Sequence, residues 1–240
     1  MIPLRDHLPT RSVPVVNYAL IALNVVVFGF ELLAASSGSA LEAVTARFAL
    51  VPATFLAHPL ASLPMLFGHM FMHASVAHLA GNMLFLWIFG DNVEDAMGHA
   101  RYAIFYVACG LVAAFAQIAV MPHATDAMIG ASGAIAGVLA AYALAYPRSP
   151  ITVLNPIPIM WIFWGLFITL PAWVVILEFF VVNLWNATQS PAGGGGVAFA
   201  AHVGGFVAGL MLWPLLRARD PLDYDPFERV LGPRLHARRG

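Results

Sequence analysis

"MIGASGAIAGVLAAYALAY", residues 128–146, carries two signals that pull apart. The stretch has no charged side chain and the composition of a helix in lipid. Yet Gly130-Ala131-Ser132-Gly133 at its head looks like the setting of a reactive serine. The rest of the chain decides whether a hydroxyl belongs there. Of its 240 residues, 61% are hydrophobic and only 10% are charged, and the mean hydropathy is +0.82. A soluble domain carries about a quarter charged residues, so the apolar excess calls for a second solvent, lipid. A net charge of −1 argues against nucleic-acid binding as the main business. The single cysteine, Cys109, lies in an apolar run and excludes an intramolecular disulfide. It is read as a small packing residue.

A helical span needs about 20 mostly apolar residues, fewer where it starts below the surface. Six spans are expected, at 14–35, 77–92, 101–120, 132–146, 168–186 and 199–216, so the fold class is an all-α membrane protein with a six-helix bundle. The domain plan is a short cytoplasmic N-terminal tail (1–13), a membrane domain (14–216) and a cytoplasmic C-terminal tail (217–240). The segment 36–76 is too long for a turn and too apolar for a solvated loop, so it is expected to lie in the interface. "ITVLNPIPIMWIFWG" (151–165), with its prolines and two tryptophans, reads as a connection at headgroup level. "SPAGGGG" (190–196) reads as a flexible hinge. All eleven basic residues are Arg, and only Arg47 falls in an odd-numbered connection. That bias puts both termini in the cytoplasm. The N-terminal run resembles a signal peptide, but its apolar stretch is longer than a signal core, so an uncleaved anchor is expected. The expected location is the cell (inner) membrane of a prokaryote, as a multi-pass protein.

Strongly polar groups within spans are costly and face functional interiors. Here they gather at one level: His69, His73, His78 and Asn82 around the head of span two, Ser132 at the head of span four, His202 near the head of span six. Ser132 to Tyr146 and His202 to Leu216 are both 15 residues, about 22 Å at ~1.5 Å per residue, short of the ~30 Å hydrocarbon core. Both side chains therefore reach a similar depth. Gly133-x-x-x-Gly137 and Gly205-x-x-x-Gly209 are small-residue stripes that let the two backbones meet. An imidazole can take the serine proton and later protonate the leaving amine. The oxyanion needs donors, which Asn82, His78 and the Ser132 backbone N–H can supply. No carboxylate stands as an obvious orienter for His202, so the reading is a Ser-His dyad.

Blander roles compete. A lone serine in a span usually bonds a carbonyl one turn back, and a lone histidine usually packs. His69, His73 and His78 could hold a metal, but no carboxylate or cysteine completes the set nearby. Structural hydrogen bonds tying 36–76 to span two suit His69 and His73 better. Glu94 and Arg101 read as capping and tying the turn after span two. Glu31 and Glu178 read as interhelical hydrogen bonds or protonated acids.

Taken together, "HMFMHASVAHLAGNMLFLWIFGDNVEDAMG" (69–98), "GASGAIAG" (130–137) and "AHVGGFVAG" (201–209) resemble the rhomboid family of intramembrane serine proteases over about residues 12–216. The resemblance implies a six-helix core with Ser132 as nucleophile and His202 as general base. It implies oxyanion roles for His78 and Asn82, and a structural role for Glu94. It implies transmembrane protein substrates cleaved near their outer end, with the bilayer as partner and neither metal nor cofactor. Two positions depart from the pattern. Ala136 stands where many members have an aromatic that stacks on the histidine, and "LFGH" (66–69) replaces a Trp-Arg pair. A helix-binding protein without proteolysis, or a small transporter, is the alternative. A transporter favours repeated, interrupted spans, and no internal repeat is seen.

Overall fold

The computed structural model describes residues 1–189 and 199–218. The expected hinge at 190–196 and nearly all of the 217–240 tail lie outside the described residues. The chain is a helical bundle with one small sheet. Helix α1 (Val15–Ala34) leads into three short helices, α2 (Gly38–Phe48), α3 (Pro52–Ala57) and α4 (Leu63–Gly68). Next come α5 (Val76–Met97), α6 (His99–Val120) and α7 (Ser132–Ala145). A hairpin of β2 (Pro150–Leu154) and β3 (Phe167–Pro171), with α8 (Trp161–Trp164) at its tip, precedes α9 (Ala172–Gln189) and α10 (Phe199–Leu216). Helices α1, α6 and α10 are long and apolar enough to cross a membrane by length and composition, and α7 and α9 are shorter apolar helices. Helix α5 is as long as α6 but carries Asp91, Glu94 and Asp95 near its C-terminal end.

Those acids have a purpose. Pro14 precedes α1 and offers no side-chain cap. Instead the Glu94 carboxylate accepts from the backbone N–H groups of Val16 (3.0 Å) and Asn17 (2.7 Å). Asp95 accepts from Ser12 N–H and its hydroxyl (3.0 and 2.8 Å). A negative charge at the positive end of the α1 dipole, on otherwise unsatisfied donors, pins α1 to α5. Glu94 also accepts from His99 Nδ1 at 2.5 Å. Arg101, expected to share in this turn, donates instead to the Arg217 carbonyl (3.4 Å).

Helix α7 is the axis of the bundle: every residue from Gly133 through Tyr142 is buried. A helix apolar on all faces is stable only when neighbours surround it, and α5, α6, α9 and α10 do so. Fully buried Phe89, Tyr102, Phe105, Tyr106 and Tyr142 fill the cytoplasmic half of the expected topology.

Two expectations are corrected. Residues 2–6 are no free tail: β1 (Ile2–Asp6) pairs antiparallel with β2, which pairs antiparallel with β3, in the order β1-β2-β3. The stretch 151–165 and the first residues assigned to span five thus form a hairpin, and α9 begins at Ala172 rather than 168. The cause is a two-residue alternation in which Ile151 and Val153 turn into the core while Thr152 and Leu154 stay half-buried. The sheet means that the molecule is mostly rather than wholly helical.

Candidate active site

The 36–76 segment meets the head of α7 through a two-residue bridge. Leu50 N–H donates to the Met128 carbonyl (3.0 Å) and Met128 N–H to the Leu50 carbonyl (2.7 Å). Gly130 N–H donates to the His69 carbonyl (2.8 Å), and His69 Nδ1 to the Met65 carbonyl (2.8 Å). Gly130 has φ +127°, open to glycine and strained for other residues. A Cβ there would also stand 2.9 Å from the His78 ring and 3.7 Å from Ser132 Oγ. This glycine lets His78 and Ser132 border the same backbone.

Ser132 opens α7, so its backbone N–H belongs to the turn that has no intrahelical acceptor. Its hydroxyl is 2.6 Å from His202 Nε2 on α10. The glycine stripes account for that approach. A Cβ on Gly205 would fall onto the Gly133 carbonyl, and one on Gly209 onto the Gly137 carbonyl, so the two backbones touch where side chains would stand. Gly137 is closed in on its other side by Cys109 Sγ, and Cys109 is buried and free.

His78 and Asn82 lie one turn apart on α5, whose start is capped by Ser75 Oγ accepting from His78 N–H (3.1 Å). Asn82 Nδ2 donates to His73 Nε2 at 2.9 Å. That direction requires a neutral His73 with its proton on Nδ1, which donates to the Phe71 carbonyl (3.3 Å). Burial, helped by the nearby His78, pushes the His73 imidazole down to about 4, so it is neutral near pH 7. His73 N–H in turn donates to Glu31 of α1 (3.1 Å). His73 thus ties the connecting segment to α5 and α1, whereas His69 ties it to the head of α7. The Asn82 amide keeps a second hydrogen for the cavity.

A cavity of about 560 Å³ is lined by His78, Asn82, Gly130, Ser132, Phe179 and His202. All four polar residues picked out for the chemistry therefore share one space. Among the described residues, no group of three His, Cys, Asp or Glu side chains could hold a metal.

Sequence reasoning missed Asn183. Its Oδ1 lies 2.5 Å from His202 Nδ1, and its Nδ2 donates to the Phe179 carbonyl (2.8 Å). Ala136 puts no aromatic ring one turn after Ser132, and the His202 ring instead has Phe179 (6.1 Å) and Phe199 (6.3 Å, edge-on) beside it. The available signal was an amide inside the apolar run "WVVILEFFVVNLW".

Comparison with known proteins identifies the family. The family model described as Rhomboid domain matches residues 61–219. Rhomboid protein 1, mitochondrial, of Saccharomyces cerevisiae is 27% identical over 207 residues, 84% of this chain and 53% of the yeast protein. Rhomboid protease GluP of Bacillus subtilis is 40% identical over 70 residues, 29% of this chain and 13% of that one. The human presenilin-associated rhomboid-like protein, mitochondrial, is 30% identical over 86 residues, 35% of this chain and 23% of that one. The chain thus spans about half the length of the yeast relative and matches shorter parts of the other two. Mitochondrial and Bacillus relatives match alike, which supports an integral membrane protein and not the prokaryotic membrane in particular. With its apolar helices and a family match over most of its length, the chain belongs to the rhomboid family of membrane proteins.

Proposed function

We propose that this protein is an intramembrane serine endopeptidase that cuts transmembrane segments of other membrane proteins. The observation that carries the reading is the 2.6 Å contact between Ser132 Oγ and His202 Nε2 at the edge of a 560 Å³ cavity. In this reading α1, α5, α6, α7, α9 and α10 are six spans, residues 14–216 form the membrane domain, and both termini are cytoplasmic. The 14-residue α7 is about 21 Å long, less than the ~30 Å of hydrocarbon, so its head sits where a recess can admit water.

The chemistry follows from the atoms. His202 Nε2 takes the Ser132 proton as Oγ attacks the scissile carbonyl carbon. The carbonyl oxygen becomes an oxyanion facing the Ser132 backbone N–H, the free Asn82 amide hydrogen and the His78 ring. The imidazolium then gives its proton to the leaving amine as the C–N bond breaks. Water, deprotonated by the same nitrogen, hydrolyses the acyl-enzyme and returns the serine. No step calls for a metal. The Gly133, Gly137, Gly205 and Gly209 stripes hold nucleophile and base together, and Glu94 fixes α1 to α5.

The test uses the purified chain in liposomes with a transmembrane reporter substrate and a fluorophosphonate probe. Cleavage and labelling are expected with the native sequence and lost in Ser132→Ala, while His202→Ala loses cleavage and stays folded. Undiminished cleavage in Ser132→Ala would overturn the reading.

A further inference from the structure

Asn183 projects from α9 with its amide held at both ends. Its Nδ2 donates to the carbonyl of Phe179, four residues back on the same helix, at 2.8 Å. A carbonyl can only accept, so the nitrogen end of the amide must face the helix backbone. The oxygen end is then left for His202, and Oδ1 lies 2.5 Å from Nδ1. An amide oxygen carries no proton, so the hydrogen of this contact resides on Nδ1. A neutral imidazole has one N–H, which leaves Nε2 with its lone pair directed at the Ser132 hydroxyl 2.6 Å away. The order of dependence is a helix carbonyl, an amide orientation, a ring tautomer and a basic nitrogen.

We propose that Asn183 is a positioning residue that locks His202 in the Nδ1–H tautomer, so that Nε2 is always the nitrogen presented to Ser132. The inference rests on the protease reading above. It supplies what the sequence lacked, an orienter for the base where no carboxylate is in place. An amide suits this depth, because a neutral acceptor avoids the cost of a carboxylate among apolar helices. When the ring becomes an imidazolium, the same oxygen accepts a charge-assisted hydrogen bond. Phe179 and Phe199 restrict the ring's rotation from the side, and Asn183 chooses which nitrogen faces the serine.

The experiment compares Asn183→Leu and Asn183→Asp in the full chain, reconstituted in liposomes with the transmembrane reporter. Leu matches the shape and removes the acceptor, so kcat is expected to fall about ten- to a hundred-fold with KM nearly unchanged. Asp keeps an acceptor oxygen and is expected to recover kcat to within several-fold of the native chain. Wild-type kcat in Asn183→Leu overturns the proposal. So does a loss confined to KM, or an equal loss in the Leu and Asp variants, either of which would assign Asn183 to helix packing. A readout on the native sequence removes dependence on the variants' folding. In ¹⁵N-histidine-labelled protein the resonances that vanish in His202→Ala are expected to show Nδ1 protonated, and a protonated Nε2 in the resting protein overturns the lock. Cleavage that persists in Ser132→Ala would instead strike the protease reading, so the two failures are distinct.

Discussion

Asn82 has its two amide hydrogens divided between two tasks. One is given to His73, whose neutral ring accepts it at 2.9 Å, and the other is left for the cavity. Asn82→Ala is therefore expected to lower kcat by ~10²–10³ with a smaller change in KM, the size seen when one oxyanion donor is removed. Steady-state cleavage in liposomes checks it, with a chelator arm expected to have no effect. Chelator-sensitive turnover with an intact Asn82→Ala rate would return the histidine cluster to a metal role. Ser132, His202, His78 and Asn82 were all legible in the sequence, because each is a polar residue in an apolar setting and helical rise put them at one depth. Asn183 has the same character but lies on a span that runs the other way, 19 positions before its partner. Counted from the expected span start at 168, it lies 16 residues in, beside the 15 of Ser132 and His202, and sequence reasoning missed it by seeking a carboxylate rather than an amide as orienter.

At the scale of elements, the α7–α10 contact is backbone on backbone. Gly205→Val puts a branched side chain where the Gly133 carbonyl lies, and α10 must move away from α7. Cleavage is expected to fall at least ten-fold, with a lower melting temperature, since such interfaces depend on close packing. Native activity and melting in that variant would mean that the helices do not meet through the stripe. The sheet offers a different test. Asp6 accepts from Asn92 Nδ2 (2.8 Å) and the Tyr142 hydroxyl (3.0 Å). Burial, opposed by the Tyr142 bond, raises its carboxyl from the usual 3.8 to about 6. The folded chain then holds more protons than the unfolded one between about pH 4 and 6, so this residue's contribution to stability falls as pH rises through that window. Asp6→Asn is expected to flatten the dependence and raise the melting temperature at pH 7.5. An equal drop in melting at pH 5 and pH 7.5 would refute this account. The hairpin itself was hard to read. Its alternation lasts five residues per strand, and in "ITVLNPIPIMWIFWGLFITL" the outward positions are nearly as apolar as the inward ones, so the two-residue period has little contrast.

Across the whole molecule, the arginine bias predicts both termini inside and the His123 connection outside. Cysteines introduced one at a time can map this, because native Cys109 is buried and contributes little background. Labelling of a cysteine at position 123 from outside and of one at 148 from inside is expected, and the reverse pattern would refute the six-span topology. The helices themselves were legible to within a few residues, since long apolar runs leave few alternatives. The small helices of 36–76 were legible only as an apolar connection. Fourteen-residue α7 also bears on how the protein is made. Alone, at about 21 Å, it is too short to cross the ~30 Å of hydrocarbon, so during synthesis it cannot settle as an independent span. It needs partners, and α10, which closes against its glycine stripe, is the last of the described helices to be translated. The serine and its imidazole are 70 positions apart and come together only at that late step. Under the proposed mechanism, a nascent chain still emerging from the ribosome carries Ser132 without its base and is inert toward the membrane proteins being inserted around it.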